Sequence, residues 1–322
     1  MTLSILADIG GTNTRVALAE GARVLPGSIA RYSNTDYASR GQDIADILAD
    51  YLQTAGQTVS GVCVAAAGPV QHGMATMTNL NWVMDADKLH GATQANRIAI
   101  LNDLQAQGHA LDHIAAANLR PVISGPKAPG AMLVVGLGTG VNAAPVHGTG
   151  AARLVPPSEC GHVTMPVRGD EDLALMRFVE ARLARRGEVA HCGVEEVLSG
   201  RGLANLFAFA AADAGSTTTS AQVFAALDAG DATACHAAQI YTRILGQTLA
   251  DLALIHLPYG GIFLIGGMAR AMAPHFAALG LTQSFREPRR VDLLETAFSV
   301  TVVEDDFAAL TGCAAYLAAQ TG

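Results

Sequence analysis

The sequence is short of charge, of aromatic rings and of cysteine. Of its 322 residues only 15% are Asp, Glu, Lys or Arg, only 5% are Phe, Trp or Tyr, and a single tryptophan is present. So little charge would suit a membrane protein if the apolar residues came in blocks. They do not: the uncharged stretch 131–152 (AMLVVGLGTGVNAAPVHGTGAA) is interrupted by Gly, Asn, Pro and His, and supplies no run of about 20 predominantly apolar residues. With a mean hydropathy of +0.30, the chain reads as an alanine-rich soluble protein with no membrane partner. Its 20 basic residues are outnumbered by 28 acidic ones, giving a net charge of −8, the wrong sign for embracing a phosphate backbone; nucleic acid is not expected as a partner. The 5 cysteines, Cys63, Cys160, Cys192, Cys235 and Cys313, are scattered and form no C-x-x-C pair or His-Cys cluster. Neither a disulfide framework nor a structural zinc is expected. The start, MTLSILADIGG, has an apolar run shorter than a signal core and no basic leader, and it meets Asp8 almost at once, so a cytoplasmic protein opening on a strand is expected.

What is present is an α/β alternation long enough for two domains of roughly 150 residues each. LSILADI (3–9), TRVALAE (14–20) and VLPGSIARYS (24–33) read as an antiparallel meander, followed by a helix at about 40–55 with Ile44, Ile47, Leu48, Tyr51 and Leu52 on one face. GVCVAAA (61–67) and RIAILN (97–102) read as buried strands, with another strand near 73–77, and 119–130 reads as a loose segment. A second Gly-rich strand pair fills 131–146. Helices follow at about 170–186, 199–213, 219–229 and 231–256, then strands at 260–267 and 298–304 and a last helix at 306–320. Strand, Gly-rich turn and strand thus open both halves (ILADIGGTNTRVAL and LVVGLGTGVNAAPV), the pattern of two related α/β lobes with a cleft between them.

Six stretches carry candidate chemistry. In DIGGTNTR, Asp8 to Arg15, paired glycines permit positive φ and bring backbone N–H groups near an anion, with Thr12, Asn13 and Thr14 as further donors; an ordinary Gly-Gly hairpin reads the same way. Asp8 inside an apolar strand needs a cation or donors. GLGTG, Gly136 to Gly140, is the matching turn of the second half, and neither turn is a P-loop or a dinucleotide fingerprint. Asn102 and Asp103 stand at a strand's end and a helix's start, where Asp103 is either a helix cap or the acceptor of a hydroxyl proton. Glu159 and His162 in ECGH suit hydrogen bonding to a neutral ligand better than a metal. Glu195 and Glu196 precede SGRG and, taken alone, read as a solvated helix end rather than a site. Gly266 and Gly267, with Met268 opening a helix, allow close approach to a flat ring.

In this order, LADIGGTNTRVAL, MTNLNW, LNDLQA, GLGTG, ECGHV, EEVLSGRGL and FLIGGMA resemble the bacterial glucokinase family, within the sugar-kinase branch of the actin-like and hexokinase-like ATPases. The resemblance runs from about Leu3 to Gly312. It implies an α/β fold of two ribonuclease-H-like (actin/hexokinase-type) lobes with a central cleft, a small lobe of 1–108 plus 305–322 and a large lobe of 109–304. It implies ATP-dependent phosphorylation of glucose to glucose 6-phosphate in glycolysis, with Asp103 as catalytic base, the alternatives being a kinase for fructose, mannose or an N-acetylated sugar, or a non-catalytic sugar sensor. Asn79, Asn102, Asp103, Glu159, His162 and Glu195 become sugar ligands. Asp8 becomes the Mg2+-side carboxylate, acting through water. Gly10, Gly11, Thr12, Asn13, Gly138 and Thr139 become phosphate contacts, and Gly266, Gly267 and Met268 lie near the adenosine. A homodimer is implied as well. The zinc-binding Cys cluster of the related repressor and kinase group is not matched, and no room precedes Leu3 for that group's DNA-binding domain. After the second turn Asn142 stands where the family often has glycine. There it either accepts a left-handed backbone or presses on the nucleotide, and the three glycines of the turn favour the first.

Overall fold

The structure, a computed structural model, describes residues 3–68, 70–77, 80–126 and 128–320. In β1 (Leu3–Ile9), Ile5, Ala7 and Ile9 point to one face and Leu6 with Asp8 to the other, the period of two that a pleated strand imposes. β2 (Asn13–Glu20) returns antiparallel with Arg15 opposite Asp8, and carries β3 (Arg23–Val24) and β4 (Ala30–Ser33) on its outer edge. The single strand expected over 24–33 is therefore two, because Pro26 and Gly27 turn the chain between them, Gly27 at φ +77°. After α1 (Asn34–Ser39), α2 (Ile44–Ala55) starts later than expected. Asp43 caps it, its carboxylate accepting from the Ala45 N–H at 2.9 Å.

β5 (Gly61–Ala66) is buried along its whole length and lies parallel to β1, as befits a strand covered on both faces. A separate three-stranded sheet of β6 (Val70–Gln71), β7 (Met74–Met77) and β8 (Trp82–Met84) precedes α3 (Ala86–Thr93). β9 (Arg97–Asn102) then adds parallel to β5 and runs directly into α4 (Asp103–Ala110). The main sheet has the order β3-β2-β1-β5-β9, with β4 also on β2. One face packs on α2 and α3 through Ile47, Leu48 and Leu89, a cluster that includes the lone Trp82.

The second half builds a sheet of its own from β10 (Leu119–Ile123), β11 (Met132–Leu137) and β12 (Val141–Val146). Helices α5 (Asp170–Arg185), α6 (Glu195–Leu198), α7 (Gly200–Ala210), α8 (Ser220–Asp228) and α9 (Ala232–His256) follow. Then come β13 (Ile262–Ile265), α10 (Gly267–Met272), α11 (Leu281–Phe285), α12 (Leu293–Thr296) and β14 (Val300–Val303). The sheet order is β10-β14-β13-β11-β12, with β11, β13 and β14 parallel. β10 falls in the segment expected to be loose. Its Pro121 cannot donate to a ladder, which an edge strand with an irregular register tolerates. Long α9 is buried over most of its residues and forms the centre of this unit's core.

The last helix, α13 (Ala308–Ala319), covers the second face of the first sheet, where Leu310, Cys313 and Leu317 meet Leu6, Cys63 and Leu101. The chain divides into one unit of Met1–Ala116, Val146–Pro157 and Asp305–Gly322 and another of Ala117–Pro145 and Ser158–Glu304. Compared with the division expected at 108 and 304, residues 109–116 and 146–157 move to the first unit. The reason is packing on α4. Gln105 donates to the Val155 carbonyl at 3.1 Å, Arg153 donates to the Gly108 carbonyl at 3.3 Å and pairs with Asp112, and Val146 and Val155 fill the space beside Gly108. Among the described residues no helix is long and apolar enough to cross a membrane.

α13 and α4 cross at Gly312, where a Cβ would overlap the Ala106 carbonyl oxygen and lie 3.1 Å from the Ala110 nitrogen. Gly312→Ala must push the helices apart, and overpacking of this kind costs about 1–3 kcal/mol. A lowered urea midpoint with unchanged slope is expected; an unchanged midpoint would show that the crossing relaxes freely.

Candidate active site

In the first unit, strand register brings the candidate groups to one edge of the sheet. Ile9 of β1 lies beside Ala66 of β5, which lies beside Asn102 of β9, so Asp8 to Gly10 and Asn102 to Asp103 leave the carboxyl ends of parallel strands. The Gly10–Asn13 turn closes with the Gly10 N–H donating to the Asn13 carbonyl at 3.0 Å, and Gly11 and Thr12 are exposed at its tip. Neither Gly10 nor Gly11 takes positive φ, contrary to the expectation from their pairing. What the site asks of Gly10 is room, since a Cβ there would stand 3.3 Å from the Asn13 carbonyl oxygen. The turn is clamped from below by Asn34, which is fully buried. Its amide donates to the Gly10 carbonyl at 2.8 Å, its N–H to the Thr12 carbonyl at 3.0 Å, and its oxygen accepts from Thr14 at 2.7 Å. Sequence reasoning misses Asn34, because in YSNTDY it looks like one more residue of a helix start.

Asp8 pairs with Arg15 at 3.1 Å across the β1–β2 ladder. Burial nevertheless pushes its carboxyl above the usual aspartate range, against the opposing pull of that guanidinium. Asn102 turns out to be the cap of α4. Its Oδ1 accepts from the Gln105 N–H at 2.9 Å, while its own N–H donates to Gln105 Oε1 at 3.0 Å. That leaves Asp103 as the first helical residue, exposed, with Oδ1 accepting from the Leu104 N–H at 2.8 Å. Asn79 lies outside the described residues.

The second unit gathers its candidates around the Gly136–Gly140 turn. The Gly138 N–H donates to the Gly140 carbonyl at 3.0 Å, and the Gly138 carbonyl accepts from the Gly200 N–H at 2.9 Å, so the start of α7 supports the turn. A Cβ at Gly138 would meet open space, whereas one at Gly140 would lie 2.7 Å from Glu195 Oε2. Thr139 stands between them. Glu195 Oε2 accepts from the Val141 N–H at 3.0 Å, and its other oxygen lies 3.4 Å from Arg201. With side chains 21% and 13% exposed, Glu195 and Glu196 are not a solvated helix end. Glu159 and His162 are the reverse, 74% and 70% exposed and 3.9 Å apart, on a short 3-10 turn that sets Gly161 against the Val141 carbonyl. Gly266 is packed against the Leu137 carbonyl at φ +97°, a place only glycine fits, and it leads into Gly267 and Met268 of α10, whose sulfur approaches Gly200.

Asn142 lies in β12 and does not have positive φ, so the left-handed backbone expected of it is not found. Nor is its amide pointed at the turn. It bonds instead to the segment Ser158–Cys160. Among the described residues no group of three His, Cys, Asp or Glu side chains is placed to hold a metal by itself.

Two α/β units, each with a parallel-stranded centre and a glycine turn at a strand's carboxyl end, make this a two-unit α/β fold. The fold matches a crystal structure of a glucokinase from an Antarctic psychrotroph over 98% of this chain and 99% of that one, with a TM-score of 0.85 at 24% identity. It also matches a ROK family glucokinase from Streptomyces griseus in complex with glucose and AMPPNP over 97% and 98% of the two chains, with a TM-score of 0.59 at 21% identity. Residues 5–320 fit the Glucokinase family profile, and a glucokinase of Marinobacter nauticus is 31% identical over 97% of this chain and 96% of its own. The chain belongs to the Glucokinase family and is a sugar kinase.

The Asp8 carboxyl gives a pH signature. Because its pKa is higher folded than unfolded, the folded state binds the proton more tightly. Stability therefore falls as pH rises from the unfolded aspartate value through the folded one, and the loss is complete above it. Asp8→Asn is expected to gain stability over the parent at about pH 7 and to lose that advantage toward about pH 4. Urea midpoints at the two pH values check this, and a gap that is constant or widens in acid contradicts it.

Proposed function

We propose that this glucokinase transfers the γ-phosphoryl group of ATP to the 6-hydroxyl of glucose with Asp103 as general base. The observation that carries the reading is the exposed Asp103 carboxylate in the first turn of α4, steadied by the Leu104 N–H and set in place by the Asn102 cap. The 6-hydroxyl proton passes to Asp103 as its oxygen bonds to the γ-phosphorus and the bond to the β-phosphate oxygen breaks, leaving ADP. Since Asn102 Oδ1 is committed to the cap, its amide nitrogen is the group that donates to a sugar oxygen. Asn79, Glu159, His162 and Glu195 take other hydroxyls, the carboxylates accepting from them. Glu195 does so with lone pairs that the Val141 N–H does not use.

Gly11, Thr12, Asn13 and Thr139 offer N–H and hydroxyl donors to the phosphates, and Gly10 and Gly138, whose N–H groups close their own turns, border the phosphates through bare backbone. Gly266, Gly267 and Met268 border the adenosine. The open space over Gly138 and Gly267 supports close approach of a nucleotide. Mg2+ supplies charge neutralisation at the β- and γ-phosphates when bound. A single carboxylate fits such an ion, which is held mainly by phosphate oxygens and water, and Asp8 would hold it through water. Cytoplasmic location, a place in glycolysis and a homodimer complete the reading that family membership supports.

Asp103→Asn keeps the shape of the site and removes the base. Turnover is expected to fall by roughly 10² to 10⁴ while glucose binding stays within a few fold. A coupled assay for ADP with glucose, fructose, mannose and N-acetylglucosamine measures both the loss and the preference for glucose. Turnover near that of the parent would remove Asp103 from this role.

A further inference from the structure

Asn142 has no role in the reaction as set out above, yet its amide is among the most fully engaged in the second unit. Its Nδ2 donates to the Ser158 carbonyl and lies 3.5 Å from Glu159 Oε2. Its Oδ1 accepts from the Cys160 N–H at 3.1 Å and from the Ala143 N–H at 2.9 Å, and lies 3.1 Å from the Ser158 hydroxyl oxygen. The Ser158 hydroxyl in turn lies 2.6 Å from the Ala143 carbonyl oxygen, to which it donates. The two outer partners have a specific meaning. The Ser158 carbonyl belongs to the peptide plane before the Glu159 α-carbon, and the Cys160 N–H to the plane after it. One amide that holds both planes sets both backbone torsions of Glu159, at φ −126° and ψ 43°, neither helical nor extended. The Glu159 side chain is 74% exposed, so packing does little to aim it.

We propose that Asn142 is a positioning residue for Glu159, fixing the backbone that carries this carboxylate and orienting the carboxylate itself toward the sugar. The proposal rests on the reading of Glu159 as a hydroxyl ligand. It also ties that ligand to the nucleotide turn. Asn142 follows Val141, whose N–H is held by Glu195, so the first two residues of β12 after the glycine turn fix both carboxylates.

The test compares Asn142→Ala, Glu159→Gln and the double variant for glucose KM, ATP KM and kcat, with thermal midpoints recorded alongside. Asn142→Ala should raise the glucose KM about tenfold, the scale on which a charged hydrogen-bonding group loses its alignment, and leave the ATP KM within about threefold. Glu159→Gln should raise the glucose KM at least as much. In the double variant the effect of Asn142→Ala should largely vanish, because the residue it positions has already been altered. Asn142→Asp keeps the acceptor oxygen but turns a second oxygen toward the Ser158 carbonyl and Glu159, and should impair glucose binding more than alanine does. A raised glucose KM in Glu159→Gln with none in Asn142→Ala overturns the proposal, as do fully additive effects or equal rises in glucose and ATP KM. A flat glucose KM in Glu159→Gln overturns the reading of Glu159 and the proposal with it.

Discussion

The peptide groups of Val141 carry the second unit's share of the site. The N–H of this residue is held by the Glu195 carboxylate, and its carbonyl faces Gly161 at a distance that admits no side chain. The glycine turn, the Glu195 helix and the Glu159–His162 turn are thereby referred to a single point of β12. A carboxylate accepting from a backbone N–H makes one of the stronger hydrogen bonds available, and removing a partner from such a group is more costly than the bond's net worth. On the proposed function, the second unit can therefore present hydroxyl ligands from two stretches of sequence and a phosphate turn from a third without building them on one element.

The first unit reaches the same end through strand register. Three parallel strands end level, so a turn, a cap and an acidic residue emerge side by side. The cap stabilises its helix, but the acidic residue of β1 does not stabilise the fold. Asp8 sits on the face that carries Leu6, Cys63 and the apolar side of α13, and its burial raises the free energy of its charged form. A carboxylate kept in such a position, with only an arginine that is itself 36% exposed to oppose the cost, is a liability to the fold. A water-held cation on the phosphates would relieve it, and that is the compensation the proposed function supplies.

Much of this was legible because it is local. Apolar strands, the helices between 170 and 256 and both glycine turns are written in local sequence, whereas the short helices Leu281–Phe285 and Leu293–Thr296 are not. Two further kinds of feature were not. Conformation inside the turns was misjudged, because a Gly-Gly pair signals either positive φ or crowding, and only the neighbours in space decide which. Polar residues with distant partners are not legible either. Asn34 clamps a turn more than twenty residues upstream, and Asn142 binds a segment sixteen to eighteen residues downstream. Return of 146–157 to the first unit belongs to the same class, since it is decided by what Gln105 and Arg153 reach and not by anything in the segment's own composition.

The glycines of the site fall into two physical kinds, and the difference separates scaffold from binding surface. At Gly140, Gly161 and Gly266 the space a Cβ would need is already filled by this chain, by Glu195, Val141 and Leu137 respectively. Those glycines let two parts of the protein touch. At Gly138 and Gly267 the same space is open, and neither residue has positive φ, so nothing within the folded chain requires glycine there. Helix propensity argues against Gly267 in particular, as glycine at a helical position is disfavoured by up to about 1 kcal/mol relative to alanine. On the proposed function, the bare backbone at these two points is room for the nucleotide. On that reading phosphate and adenosine lie against bare main chain at these places, and donors of the turns stand in for the basic residues of which the chain has so few.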